Sequence, residues 1–250
     1  MTDGLFPYLL RLADDHLILG QRLGEWCGHA PTLEEDIGLA NIGLDLIGQA
    51  RALYSYAAEV EGAGRDEDKL AFLRYERDYA NALLVEQPNG DFALTIVRQL
   101  LFSAFMLPYW RALQASSDDT LAAIAGKAVR EAEYHVRHSA EWVIRLGDGT
   151  AESHRRTQEA LERLWLYTGE LFEMDATATA LAEAAVAPDA AALRETWNAT
   201  VDKVLQEATL SRPKDGWMQT GGRAGRHSEH LGHILSEMQY LQRTYPNASW

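Results

Sequence analysis

Leu39-Ala40-Asn41-Ile42-Gly43-Leu44-Asp45-Leu46-Ile47-Gly48-Gln49-Ala50-Arg51 decides the fold class of this 250-residue chain. Ile37, Leu39, Ala40, Leu44, Leu46 and Ile47 fall on more than one face of a helix. A helix that is apolar most of the way round belongs at the centre of a helical protein. Pro31-Thr32-Leu33-Glu34-Glu35 opens the helix, with Thr32 as cap and Glu35 reaching back in a capping box. It runs to about Val60. Gly38, Gly43 and Gly48 lie within it, and Gly20, Gly24 and Gly28 recur at four-residue spacing in the helix before it. Each glycine costs about 1 kcal/mol against alanine in a helix interior, so such ridges imply that another backbone comes close.

Outward from this stretch the period stays helical, and no alternating run is long enough for a strand. Eight helices are expected: about 4–28, 32–60, 66–87 with Asp66 as cap, 92–114 with a break near Pro108, 119–146, 151–173, a seventh opened by Pro188, and an eighth capped by Ser228. The first buries Phe6, Leu9, Leu10, Ala13 and Leu17. The seventh carries Leu193, Trp197, Val201, Val204, Leu205 and Ala208 on one stripe. No linker interrupts them. Long helices with short turns imply one all-α domain over 1–250, a ferritin-like antiparallel helical bundle with extra helices.

Composition narrows the function. With 47% hydrophobic residues the chain can bury a large core. A net charge of −14 repels nucleic acid. The longest apolar run, about Leu100 to Leu107, is too short to span a bilayer. Met1-Thr2-Asp3-Gly4 lacks the basic start of a signal peptide. Cys27 is the single cysteine, so no disulfide forms within the chain. This suits a cytoplasmic location, with Cys27 expected as a small buried hydrophobe. Gly221-Gly222-Arg223-Ala224-Gly225-Arg226, with Arg212 and Lys214, makes a basic patch that reads either as a phosphate or acidic-partner site or as a solvated loop.

Polar residues on buried helices carry the chemistry. A ferritin-like di-iron centre takes a Glu from each of two helices and Glu-x-x-His from each of two others, because two cations in an apolar core need carboxylates for charge balance. Here the ligand set is incomplete. Asp45 is followed three residues later by Gly48, which has no side chain to offer. From Phe92 through Ser117 there is no Asp, Glu or His. Lys127, Glu131, His135 and His138 form one stripe, but Ala132 stands where Glu-x-x-His needs its Glu. Asp45, Glu131, His135 and His138 are therefore candidates for a vestigial metal site. A buried carboxylate must be protonated, paired or metal-bound, and Arg98 or Lys127 is the expected replacement for the metal's charge.

Longer blocks carry a family resemblance: Arg22-Leu23-Gly24-Glu25-Trp26-Cys27-Gly28-His29-Ala30-Pro31, Leu39 to Arg51, Leu84-Val85-Glu86-Gln87-Pro88-Asn89-Gly90, Arg145-Leu146-Gly147-Asp148-Gly149-Thr150, and His227-Ser228-Glu229-His230-Leu231-Gly232 with Glu237-Met238-Gln239-Tyr240-Leu241-Gln242-Arg243. The chain resembles the PaaA/PaaC family of bacterial phenylacetyl-CoA oxygenase subunits over nearly its whole length. The resemblance implies a multicomponent enzyme that epoxidises the aromatic ring of phenylacetyl-CoA at the 1,2 position, using O2 and electrons that a reductase draws from NADPH. It places the di-iron cofactor in a homologous catalytic partner. This chain becomes the structural member, with no catalytic residue and no cofactor of its own. It also puts phenylacetyl-CoA near the contact between the two subunits, with Asp78, Tyr79, Asn81 and the stretch Thr179 to Leu181 as contact candidates. Two other readings stay open: a free-standing metal-dependent oxidoreductase built on Asp45, Glu131, His135 and His138, and a purely structural homodimer.

Overall fold

Gly20 and Gly43 meet where the first two helices lie side by side. In a computed structural model, which describes residues 4–246 and Ala248, α1 (Leu5–Gly24) and α2 (Leu33–Glu61) run antiparallel. A Cβ added at Gly43 would sit 3.3 Å from the Gly20 carbonyl, and one at Gly20 would press on Ile47 at 3.0 Å. Gly20 and Gly43 thus make a close crossing of the two ridges. Gly24, Gly28 and Gly48 have open space around them. The signal-peptide reading of Met1, Thr2 and Asp3 lies outside the described residues.

Contacts divide the chain into two compact units, where the sequence reads as one domain. One unit comprises Met1–Pro88 and Thr220–Trp250, the other Asn89–Gln219. The first holds α1, α2, α3 (Glu67–Phe72) and α4 (Leu83–Glu86). The second holds α5 (Phe92–Leu113), α6 (Asp119–Gly147), α7 (Ala151–Trp165), α8 (Ala176–Glu183) and α9 (Arg194–Glu207). The chain then returns to the first unit as α10 (Glu229–Met238) and α11 (Tyr240–Thr244). Among the described residues there is no strand. The class is the expected one, all-α and ferritin-like.

Several expectations change. Thr32 precedes α2 in extended geometry but accepts no capping hydrogen bond from its side chain. The α2 helix is not apolar-covered all round, since Leu33, Ile37 and Leu44 remain 72%, 54% and 65% exposed. Cys27 lies beyond the end of α1 and is exposed. The expected helix over 66–87 breaks into α3, a 3-10 turn at Glu76–Asp78, and α4. Its Asp66 cap is present, accepting from the Lys69 N–H at 2.9 Å. Pro108 does not break α5. A mid-helix proline costs about 3 kcal/mol, and burial on all sides outweighs it here, with Phe105, Met106, Tyr109 and Trp110 all inside. By length and composition α5 passes for a membrane span, yet 83% of its most apolar window is buried within the protein, the placement of a core helix.

In the second unit α5 and α6 form the other antiparallel hairpin. The Phe92 and Trp142 rings meet edge to face at 5.1 Å near one end, and Gln114 approaches Gly126 near the other. Trp197 anchors α9 by donating to the Leu101 carbonyl of α5 at 2.9 Å. The helix expected to reach Glu173 stops at Trp165 and gives way to a 3-10 turn at Gly169–Phe172. The returning loop takes its place: the Gln219 N–H donates to the Leu166 carbonyl at 2.9 Å, and Met218 covers Gly169 so closely that a Cβ would collide with it.

Gly147 makes a sharper test. A Cβ there would run into the Ala208 carbonyl and side chain. Gly147→Ala is expected to cost about 1–3 kcal/mol, read as a lower denaturant midpoint. Gly24→Ala, with open space around it, should be neutral or stabilising.

Candidate functional site

Three consecutive polar residues, Asp14, Asp15 and His16, lie fully inside on α1. Burying an ionised carboxylate without partners costs several kcal/mol, and the first unit is built around satisfying these two. Asp14 accepts from the Tyr54 hydroxyl of α2, from both terminal nitrogens of Arg74, and from the Ala80 N–H at 2.8 Å. Asp15 accepts from the Ala82 N–H at 2.7 Å and from Arg223 Nη2 at 2.7 Å. Residues 79 and 82 take extended dihedrals, so the N–H groups of Ala80 and Ala82 turn away from any helical ladder toward α1. This is the physical reason that the helix expected over 66–87 is broken.

A third carboxylate, Glu86, is also fully buried. It accepts from Asn81 Nδ2 at 2.9 Å, from His227 Nδ1 at 2.8 Å and from the Ser228 N–H at 2.6 Å. Arg22 of α1 donates to its backbone carbonyl at 2.9 Å. Gln239 closes the network from the C-terminal end of α10, donating to the Tyr79 hydroxyl at 3.0 Å and to the Arg74 carbonyl at 3.0 Å. Three buried carboxylates thus face three basic groups: Arg74, Arg223 and His227.

The electrostatics follow from burial and pairing. Burial pushes the Arg74 guanidinium toward losing its proton, and the charge and hydrogen bond of Asp14, together with Tyr54 and Tyr79, more than reverse this, so its pKa is raised. Burial raises the Tyr54 and Tyr79 phenols, and the Asp14 charge adds to the effect on both. Burial likewise raises Asp15, with Arg223 working against it. These phenols are locked hydrogen-bond donors, and the carboxylates have their oxygens occupied by protein donors.

The glycine-rich loop is part of this structure and not a patch open to phosphate. Arg223 is turned inward onto Asp15 and the Ala80 carbonyl. Gly222 and Gly225 lie so close to the Asn81 and Arg77 carbonyls that a Cβ at either would collide, and Gly225 has φ +70°. Arg212 serves the other unit, pairing with Asp202 and stacking on Trp165 at 4.8 Å.

The residues singled out from the sequence are placed differently. Asp45 is half-buried on α2. On α6, His135 is buried and Glu131 and His138 are half-buried. Among the described residues no three His, Cys, Asp or Glu side chains gather as a metal ion requires. Lys127 lies 3.7 Å from Glu131 but is 77% exposed, so the reading that made it a core cation is corrected: its long side chain carries the ammonium out to water. Arg98 is buried and donates to Asn89 Oδ1 at 2.6 Å. Among the contact candidates, Asp78 is exposed and accepts from the Tyr75 N–H, and Thr179 and Ala180 are exposed on α8. Tyr79, Asn81 and Leu181 are buried, and Tyr79 and Asn81 hydrogen-bond within the first unit.

Comparison with known proteins adds the family. A family model described as "Phenylacetic acid catabolic protein" matches residues 1–250. The chain belongs to this family. It is 53% identical over 246 residues, 98% of this chain and 99% of the relative, to the C subunit of the 1,2-phenylacetyl-CoA epoxidase of Escherichia coli strain K12. Set against the di-iron pattern of ferritin-like proteins, this family member does not fit. Gly48 supplies no ligand, α5 offers no Asp, Glu or His, and the buried carboxylates of α1 are saturated by protein donors.

The sequence held one signal for the real polar centre: Asp14-Asp15-His16 interrupts an otherwise apolar run from Leu12 to Gly20. Arg74→Met is expected to destabilise the protein by about 3–5 kcal/mol, because Asp14 stays buried without its cation. Asp14→Asn with Arg74→Met should cost clearly less than the sum of the two single changes. A denaturant-melt double-mutant cycle reads this, and additive costs would show that the pair does not hold the 73–82 segment.

Proposed function

We propose that this chain is the non-catalytic structural subunit of a multicomponent phenylacetyl-CoA 1,2-epoxidase in aerobic phenylacetate degradation. The near-full-length match to a protein named as the C subunit of that enzyme carries the reading. The incomplete ligand set supports it, since a chain with Gly48 and a carboxylate-free α5 lacks what a di-iron centre needs. The role left to it is mechanical: a stable helical body, fixed by paired charges, that supports a homologous di-iron subunit. That subunit holds the metal, a reductase supplies electrons, and this chain carries no cofactor. Asp78 and Thr179 have side chains open to solvent and are the contact candidates available to a partner or to the acyl-CoA. The working location is the cytoplasm, where acyl-CoA thioesters are handled.

Co-expression with the catalytic partner tests the proposal. The two chains should co-elute on size exclusion without added substrate, and epoxidation should require both. A clean mixture that elutes as separate species defeats the partnership. Metal analysis of the chain purified alone should find far less than one iron or manganese per chain. A near-stoichiometric amount would overturn the structural role in favour of a free-standing oxidoreductase.

A further inference from the structure

Residues 220–228 form a strap that crosses the first unit between the Gln219 boundary and α10. Its backbone lies against residues 77–83 at Gly222 and Gly225, and Arg223 pins its middle to Asp15. Its end is held by His227, whose side chain is 4% exposed. Both ring nitrogens of His227 face oxygens: Nδ1 meets Glu86 Oε2 at 2.8 Å, and Nε2 meets the Tyr79 carbonyl at 2.9 Å. A carbonyl only accepts, and a carboxylate only accepts. A ring with two protons satisfies both, whereas a neutral ring sets a lone pair against one of them.

We infer that the 220–228 strap is a proton-gated clasp, closed while His227 carries both ring protons and loosened when one is lost. Charged and titratable groups surround the ring from each neighbouring element. Glu86 comes from α4 and Tyr79 from the segment before it. Asp14 acts from α1, Glu76 and Arg77 from the 3-10 turn, and Arg226 and Glu229 flank the ring in sequence. Burial pushes the imidazole toward the neutral form, and the hydrogen bond and charge of Glu86, together with the Tyr79 carbonyl and Asp14, more than offset this, so its pKa is raised. The sign then follows. The clasp's contribution is complete below the unfolded value of about 6.5 and is lost as pH rises through the higher closed-state value. The strap walls a cavity of about 580 Å³ shared with Glu76 and Arg77. Loosening it would uncover Asp15 and Glu86, which it now covers.

Hydrogen exchange of the full chain, read by mass spectrometry and corrected for the intrinsic rate at each pH, tests the clasp. In peptides covering 220–228 and 79–86, the opening constant should rise by up to tenfold per pH unit above about 6.5 and then level off. Peptides from α6 should not change. In His227→Gln, a neutral side chain, the strap should be less protected at low pH and its protection flat with pH. Strap protection in the unmodified chain that does not depend on pH would overturn the inference. So would a pH response that persists in His227→Gln. Should His227→Gln fail to fold, the pH series of the unmodified chain against its own α6 still decides the matter.

Discussion

The burial of Asp14 and Asp15 side by side on α1 is the constraint on which the first unit depends. Neighbouring residues on a helix point about 100° apart, so the two carboxylates need separate sets of donors. Asp14 takes Tyr54, Arg74 and the Ala80 N–H. Asp15 takes Arg223 and the Ala82 N–H. The donors come from α2, from the 74–82 stretch and from the 220–228 strap, and together they determine where the 73–86 segment and the strap run. A helix over 66–87 would have used the Ala80 and Ala82 N–H groups internally and taken one donor from each carboxylate.

This arrangement also shows how the buried carboxylates of the first unit obtain their charge balance. Carboxylates inside an apolar body require positive charge close by. Here arginine and histidine side chains supply it at Asp14, Asp15 and Glu86. These pairs lie on residues other than Asp45 and Glu131, for which Arg98 or Lys127 is the cation expected from the sequence. The second unit relies on apolar packing. Trp165, Trp197, Phe172 and Phe105 interlock through ring contacts of 5.3–5.5 Å, and α5 is buried nearly throughout.

The exposed apolar residues of α2 belong to the same account. Leu33, Ile37 and Leu44 fall on one exposed stripe of α2. Their apolar character made α2 look central, and in the isolated chain that face is open to solvent. A member of a larger assembly is the kind of protein in which a helix reads as buried in sequence and exposed in the single chain.

The sequence by itself determined the helical class, most helix positions and the family. These are local properties: apolar period, a cap such as Asp66, and motif blocks that lie within short stretches of chain. Tertiary structure alone decided which polar residues form the buried centre. Asp14 and Arg74 are 60 residues apart, and Asp15 and Arg223 are 208 apart, distances over which no periodic pattern reports. The same reason explains the broken helix at 73–82, the inward turn of Arg223 and the exposure of Lys127. Each depends on what the rest of the chain brings within hydrogen-bond reach, and a carboxylate buried on α1 outweighs the local helical preference of a segment far along the sequence.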